Sequence, residues 1–283
     1  KLSWLIELVI YSTSLLFGNL FLRKDKFLVY KKDNIDIVMG AGSSIHLRML
    51  LIKSYLSNVG NSVKVVSILA PNLYKRKFDI ICSPIHDSKK LSASNKVIYF
   101  EGSLAKISTN KVDENQGFIG IGGINRHYEF DQDAIILQIE FLLGLYPHKN
   151  WSLFTSRRTP IEMIKKINNM ALTNDNLILS NNNYDEIIEK ASIKVVTQDS
   201  VNMVYESLST QGQTLIFNMK YIKMNKIVNQ INTLLNNKQV GYIENTKMAD
   251  GLNKIKIISQ NMHHDVFAEV EKVAYKLIQE FKP

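Results

Sequence analysis

The sequence predicts an α/β protein built from two doubly wound, parallel-sheet domains of Rossmann-like type. Short apolar, β-branched runs alternate with longer segments of helical period throughout the chain. The runs are almost continuously apolar, as strands covered on both faces require. With 283 residues and 45% hydrophobic content, the chain can fill two ordinary cores.

The first 22 residues, KLSWLIELVIYSTSLLFGNLFL, are apolar and followed by RKDK. Glu7, the polar run Tyr11 to Ser14 and the break at Gly18-Asn19 argue against a membrane span, because a charge is costly in hydrocarbon. The segment is expected to be an interfacial or core-packed helix, with peripheral membrane contact as its possible use. IDIVMG (35–40) then reads as a strand, and SSIHLRMLLIKSYL (43–56) as a helix capped by Ser43 or Ser44. VKVVSIL (63–69), FDIICS (78–83) and KVIYF (96–100) are further strands. The first domain is expected over 1–108, with the polar stretch STNKVDENQ (108–116) as linker.

The second domain, 117–264, repeats the scheme more cleanly. GFIGIGG is a strand, DQDAIILQIEFLLGLY a helix, WSLFTS a strand, TPIEMIKKINNMAL a helix and NLILS a strand. YDEIIEKA is a helix, IKVVTQ a strand, SVNMVYESLSTQ a helix and QTLIFNM a strand. The closing HDVFAEVEKVAYKLIQEF is a long amphipathic helix.

Ligands of doubly wound sheets bind beyond the carboxyl ends of the strands. That rule selects Gly40-Ala41-Gly42-Ser43-Ser44 with His46, and Ser83-Pro84-Ile85-His86-Asp87, in the first half. In the second half it selects Gly122-Gly123-Ile124-Asn125-Arg126, Thr155-Ser156-Arg157-Arg158-Thr159 and Gln198-Asp199-Ser200. GAGSS before a helix suits either an anion at backbone amides or a plain tight turn. In LFTSRRTP (153–160) the case is stronger: two guanidinium forks stand where a strand hands over to a helix, with Thr159 as expected cap and Pro160 in the first turn. Both features favour a phosphate. Asp199 reads as a helix cap. Glu206 could accept hydrogen bonds from ribose hydroxyls if it turns to the crevice.

The formal charge of +9 and pI near 9.3 point to anionic partners. Nucleic acid is not expected among them, since no reader motif or exposed basic-aromatic stripe accompanies the charge. The lone Cys82 makes no disulfide framework and reads as a core residue. His263-His264-Asp265 lacks metal-ligand spacing, because adjacent histidines diverge and Asp265 suits a helix cap. No metal and no bound cofactor are expected.

Five blocks occur in order: IDIVMGAGSSIHLRMLLIK, FDIICSPIHD, IGGINRHYEFD, LFTSRRTP and VVTQDSVNMVYESLSTQGQTLIF. Together they resemble the elongated-mitochondria (mitochondrial fission) family, whose bacterial members are regarded as glycosyltransferases. The resemblance runs from about Ile35 to Tyr242, and SRRTP and DSVNMVYE are its most specific parts. It implies the glycosyltransferase-B architecture, with a nucleotide sugar held by the C-terminal domain, an acceptor by the N-terminal one, and the last helix (265–283) packed back onto the first domain. The family's opening strand and its Gly-His-x-Asn-Gln-type loop have no counterpart here, so the N-terminal domain is expected to lack its first strand. Ile124-Asn125 stands where relatives often carry Pro-Ser.

The implied reaction is metal-independent transfer of a sugar from a nucleotide-activated donor to a glycan or lipid-linked acceptor. Arg157 and Arg158 are expected on the diphosphate, in a pocket shaped by Gly122, Gly123, Asn125, Ser156 and Thr159. Asp199, Ser200, Met203 and Glu206 are expected on the nucleoside side. His86 or Asp87 is the candidate base, and Gly40, Gly42, Ser43, Ser44 and His46 the acceptor-side loop. The expected location is the cytoplasm, at the inner face of a membrane if peripheral. A non-catalytic membrane-associated protein on the same fold is the alternative.

Overall fold

A computed structural model describes residues 5–6, 8–9, 11–13, 35–42, 44–58, 60–92, 96–249, 251–261 and 266–281. Most of the apolar N-terminal segment, Ser43 and His263 to Asp265 therefore lie outside the described residues. The chain forms two compact units, residues 1–101 with 272–283, and residues 102–271.

The first unit holds a four-stranded parallel sheet in the order β1-β2-β3-β4. Its strands are β1 (Ile37–Ala41), β2 (Lys64–Ile68), β3 (Ile80–Pro84) and β4 (Val97–Phe100). Helix α1 (His46–Asn58) packs on it through Leu47, Leu50, Leu51 and Leu56, against Val65, Phe78 and Ile81. Tyr11, at 2% exposure, joins this core, where its ring meets Tyr74 edge-on at 4.9 Å. Burying one such side chain contributes about 1.5–3 kcal/mol, enough to tie that part of the N-terminal segment to the core. Among the described residues no helix is long and apolar enough to cross a membrane. Cys82 is buried in β3, and burial pushes its thiol up to about 11.

The second unit holds a seven-stranded sheet in the order β11-β10-β9-β8-β5-β6-β7. These are β5 (Asp113–Ile121), β6 (Asn150–Thr155), β7 (Leu177–Leu179), β8 (Ala191–Val196), β9 (Gln213–Ile216), β10 (Gly241–Lys247) and β11 (Asn253–Ile258). The helices are α2 (Gln132–Leu145), α3 (Ile161–Thr173), α4 (Tyr184–Lys190), α5 (Val201–Leu208) and α6 (Lys226–Asn236); the closing helix α7 (Glu269–Phe281) is counted with the first unit from Lys272 onward. Side chains alternate across β5: Ile119 and Ile121 face a core with Ile135 and Ile139 of α2 and Ile167 of α3. Phe118 faces a second core with Ile188 of α4, Val204 and Leu208 of α5. Every residue of β8 is buried, as expected of a central parallel strand.

Two expectations are corrected. The stretch 108–116 is not a linker: Ser108 bridges Thr210, and β5 begins at Asp113, which pairs with Ala191 ahead of a register shift. Its polar start hides a strand whose apolar half begins only at Gly117. Nor is the second sheet wholly parallel, since β11 runs antiparallel to β10 at the edge. Helix α6, β10 and β11 are additions to the alternation read from sequence; α6 carries its own cap, Asn225, whose Oδ1 accepts from Ile227 N at 2.9 Å and Val228 N at 3.3 Å.

Candidate functional site

In the second unit, connections from β5 run to β6 on one side and reach β8 on the other, so the strand order reverses between β5 and β8. That reversal opens a crevice at the carboxyl ends of the two strands, the place where open α/β sheets take ligands. Gly122-Gly123 follows β5 there, and Thr197-Gln198-Asp199 follows β8.

The two loops are tied together by the backbone of the glycines. Gly122 N donates to Thr197 Oγ1 at 2.7 Å, and Gly123 N to Asp199 Oδ2 at 2.8 Å. Only glycine fits this approach. A Cβ at Gly122 would stand 2.3 Å from the Asp199 carboxylate, and one at Gly123 would stand 2.1 Å from the carbonyl oxygen of Arg158. Two hydroxyls hold Gly122 O from the other side: Ser156 Oγ donates to it at 2.9 Å, and Thr159 Oγ1 also donates to it. Thr159 is therefore not the cap of α3. Pro160 takes the cap position with extended backbone, no side chain caps the helix, and Thr159 is drawn inward to the glycine turn.

Asp199 is neither a helix cap nor an open nucleoside contact. Its side chain is wholly buried, and Oδ2, besides Gly123 N, meets Arg158 Nη2 at 3.0 Å. Ser200 stands at the cap position of α5 without a side-chain hydrogen bond to the helix. Asp199 Oδ1 and the Tyr128 hydroxyl are both buried without hydrogen-bond partners among the described residues. Burial, reinforced by the Asp199 carboxylate, pushes the Tyr128 phenol well above its ordinary value, so it stays a donor.

The two adjacent arginines thus differ. Arg158 is 42% exposed and paired with a buried carboxylate. Arg157 is exposed and makes no ion pair among the described residues. Asn125 links a third loop to the site: its Oδ1 accepts from His127 N at 2.6 Å and Tyr128 N at 3.1 Å, while Nδ2 donates to Asp199 O at 3.4 Å. This loop brings Arg126 and His127 into the electrostatic company of Arg158 and of Lys226 at the start of α6. The result is a cationic surface around one internal carboxylate.

Other predicted residues lie elsewhere or act differently. Met203 packs into the core beneath the site, near Phe118 and Val204. Glu206 accepts from Tyr184 Oη at 2.6 Å. In the first unit, His86 and Asp87 stand in a 3-10 turn (Ile85–Lys90) directly after β3, where Asp87 pairs with Lys90 at 2.9 Å. Gly40 is the next-to-last residue of β1 and Gly42 follows its end, with exposed Ser44 beyond. His46 does not stand in that loop; it is the buried first residue of α1, with Nε2 2.9 Å from Ser67 Oγ and its ring edge-on to Phe78. Burial holds its imidazole below the ordinary value. No group of three metal-ligating side chains occurs among the described residues.

Sequence reasoning missed Thr197, Tyr128, His127 and Lys226. Thr197 and His127 each lie within two residues of a predicted position, so strand-end proximity was the available signal. Lys226 had none, because it belongs to a helix the alternation did not include. A cavity of about 580 Å³ opens at the opposite, amino end of the same sheet, lined among others by Asn110, Lys111, Glu114, Ser192 and Gln211. It has a glycine turn of its own at Gly212, where a Cβ would stand 2.6 Å from the carbonyl oxygen of Ala191, but it gathers only one cation, Lys111, and one anion, Glu114, among neutral groups. The exposed cations Arg126, Arg157, Arg158 and Lys226 belong to the carboxyl-end loops and the start of α6.

A family model described as Mitochondrial fission ELM1 matches residues 20–281. The uncharacterized protein RP120 of Rickettsia prowazekii (strain Madrid E) is 26% identical over 234 residues, 64% of this chain and 64% of that protein. The chain therefore spans less than two thirds of that relative. Among solved structures, the pneumococcal O-GlcNAc transferase GtfA in complex with UDP and GlcNAc is similar with a TM-score of 0.40 and 9% identity, over 69% of this chain and 45% of that one. The UDP-GlcNAc 2-epimerase from Methanocaldococcus jannaschii is similar with a TM-score of 0.47 and 12% identity, over 90% of this chain and 80% of that one. These structural likenesses carry no argument about chemistry. The family match spans nearly the whole sequence, and by it this chain belongs to the mitochondrial fission ELM1 family.

Proposed function

We propose that the protein is a glycosyltransferase whose second unit holds a nucleotide-activated sugar by its diphosphate at the carboxyl end of β5, β6 and β8. One observation carries this reading: at the switch point between β5 and β8, a glycine pair is pinned by Thr197 and Asp199, Arg158 pairs with that Asp199, and Arg157 precedes it in the same loop. Breaking a glycosidic bond to a nucleoside diphosphate leaves negative charge on the phosphates. Preorganised guanidinium groups and helix-end amides stabilise that charge more in the transition state than in the ground state, and the reaction as proposed draws on no metal. Helix α3 supports this, because it has no side-chain cap and begins at Ile161, separated from Arg157-Arg158 only by Thr159-Pro160.

Arg157 is the arginine we assign to the diphosphate, since no carboxylate among the described residues pairs with it. Arg158 positions the loop and adds charge. Glu206, held by Tyr184, is assigned to the nucleoside. The base that takes the acceptor proton is assigned to His86 or Asp87, in the turn after β3. The acceptor is a glycan or a lipid-linked glycan.

The test is calorimetric titration with UDP, GDP, ADP and TDP in turn. One of them is expected to bind in the micromolar range, and Arg157→Ala to weaken it at least tenfold (about 1.4 kcal/mol) while leaving thermal stability unchanged. Failure of all four to bind at millimolar concentration, or an unchanged affinity in the variant, would sink the assignment.

A further inference from the structure

We propose that residues 220–226, between β9 and α6, form a docking surface for the headgroup region of an anionic phospholipid bilayer. The proposal is independent of the diphosphate reading, since it uses none of Arg157, Arg158 or Glu206. It also places membrane contact on the second unit and not on the apolar N-terminal segment.

The stretch reads KYIKMNK. Tyr221 is 47% exposed, Ile222 54% and Met224 46%, and the lysines 220, 223 and 226 are exposed among them. The backbone that carries these side chains is fixed. Just ahead of it, Gln198 Nε2 donates to Phe217 O at 2.8 Å. Wholly buried Gln138 grips Asn218 twice, its Nε2 donating to Asn218 O at 3.1 Å and its Oε1 accepting from Asn218 N at 2.7 Å. Glu129 N then donates to Lys220 O at 2.8 Å and Ile222 N to His127 O at 2.9 Å, on either side of the Tyr128–Tyr221 bridge. Asn225 closes the stretch: its Nδ2 donates to Lys223 O at 2.7 Å while its Oδ1 caps α6. Three large apolar side chains displayed to solvent from an anchored backbone mark an interaction surface.

The charge says what covers it. Residues 220–226 hold three lysines and no carboxylate, and the loop paired with them adds exposed Arg126 and a single carboxylate, Glu129, which Lys220 meets at 2.9 Å. The ribbon is therefore positive wherever its apolar residues are exposed. Protein interfaces are poor in lysine at their centres, so lysines alternating with apolar side chains fit a protein partner badly. Single-stranded nucleic acid would need a row of aromatic faces, and the stretch has one ring. A bilayer takes both kinds of side chain at once. Isoleucine and methionine enter the acyl boundary, the lysine stems follow them while the ammonium groups stay among the phosphates, and a tyrosine ring suits the headgroup depth. Anionic lipid adds attraction for every lysine held near the surface. The patch follows the carboxyl end of β9, the end of the sheet that also carries the crevice.

The experiment sediments the full chain with vesicles of phosphatidylcholine alone and of phosphatidylcholine mixed equally with phosphatidylglycerol. Wild type is expected to pellet with the anionic vesicles and to be released as salt is raised. Lys220→Gln combined with Lys223→Gln should weaken that binding by about fivefold per lysine removed. Ile222→Ser combined with Met224→Ser should weaken it by about tenfold or more. All four positions are exposed, so the thermal midpoints of both variants should match wild type. Ile222→Cys carrying a polarity-sensitive fluorophore reads insertion directly, because Cys82, the chain's one native thiol, is buried. Its emission should shift to the blue on anionic vesicles and stay unchanged on neutral ones. Undiminished vesicle binding by both double variants, with no shift of the label, would overturn the proposal and give the attachment to another surface, such as the N-terminal apolar segment. Absence of wild-type binding to anionic vesicles at low salt would also overturn it and leave the patch to an acidic protein. Neither result touches the diphosphate reading, which the Arg157→Ala titration tests separately.

Discussion

The two ends of the seven-stranded sheet treat buried charge in opposite ways. At the carboxyl end, the buried Asp199 carboxylate is met by Arg158, which is 42% exposed and belongs to a surface loop. At the amino end, Lys194 is wholly buried and donates to Thr210 O at 3.0 Å, Thr210 Oγ1 at 2.8 Å and Gln211 O. Lys149 there donates to Ser192 Oγ at 2.6 Å and to Glu114 O. Neither lysine makes an ion pair among the described residues. The carbonyls that Lys194 gathers follow the C-terminus of α5, where orphan acceptors and the helix dipole both favour a cation. A charge answered by neutral carbonyl and hydroxyl acceptors holds the chain together. A charge answered by a half-exposed partner leaves that partner able to meet a ligand. The comparison separates a structural end from a functional one within one sheet.

The largest expected effect tests whether the carboxyl end depends on backbone contact. Gly123→Ala places a methyl against the carbonyl of Arg158 and the amide of Thr159, neither of which can rotate away. It should destabilise the protein by roughly 3–5 kcal/mol in urea unfolding. A loss under 1 kcal/mol would show that the loops yield and that the turn is not preorganised.

The next effect separates the two arginines. Arg158→Ala leaves Asp199 buried with Gly123 N as its one charge-assisted partner, and should cost about 2–4 kcal/mol. Arg157→Ala should change stability by no more than about 0.5 kcal/mol. If both variants unfold alike, the division between positioning and ligand-binding arginine is wrong.

The smallest effect concerns the amino end. Burial pushes Lys194 from its ordinary 10.5 down to about 7. Between those values the unfolded chain binds more protons than the folded one, so stability should rise with pH across that window and level off below and above it. The slope is at most about 1.4 kcal/mol per pH unit, and the three acceptors at the helix end, which favour the three-donor ammonium, will reduce it. Lys194→Met should flatten the rise, read as urea midpoints at pH 7 and pH 10. An unchanged slope would mean that the acceptors cancel the cost of burial altogether.

Much of this architecture was legible from local pattern. Strands such as IKVVTQ and FDIICS announce themselves because a strand buried on both faces must be apolar almost without interruption. The strand-end rule then led to Gly122-Gly123, Ser156 to Thr159 and Asp199. What escaped had a physical cause in each case. The start of β5 is polar because it pairs near the sheet margin, where its side chains are exposed. Helix α6 is rich in Asn and β-branched residues, weak helix formers that packing of Val228, Ile231 and Leu234 overrides.

By itself, then, the sequence determined the class of fold, the order of its main strands and the loops at which charge collects, because apolar periodicity and loop composition are local properties. Only the tertiary structure decided that Asp199 holds Arg158 and not a helix end, that Thr159 turns inward, and that the loop holding His127 bonds to the one holding Ile222. Those outcomes depend on which loops the parallel crossovers bring side by side, and residues 70 or more positions apart meet there without any mark of it in the chain.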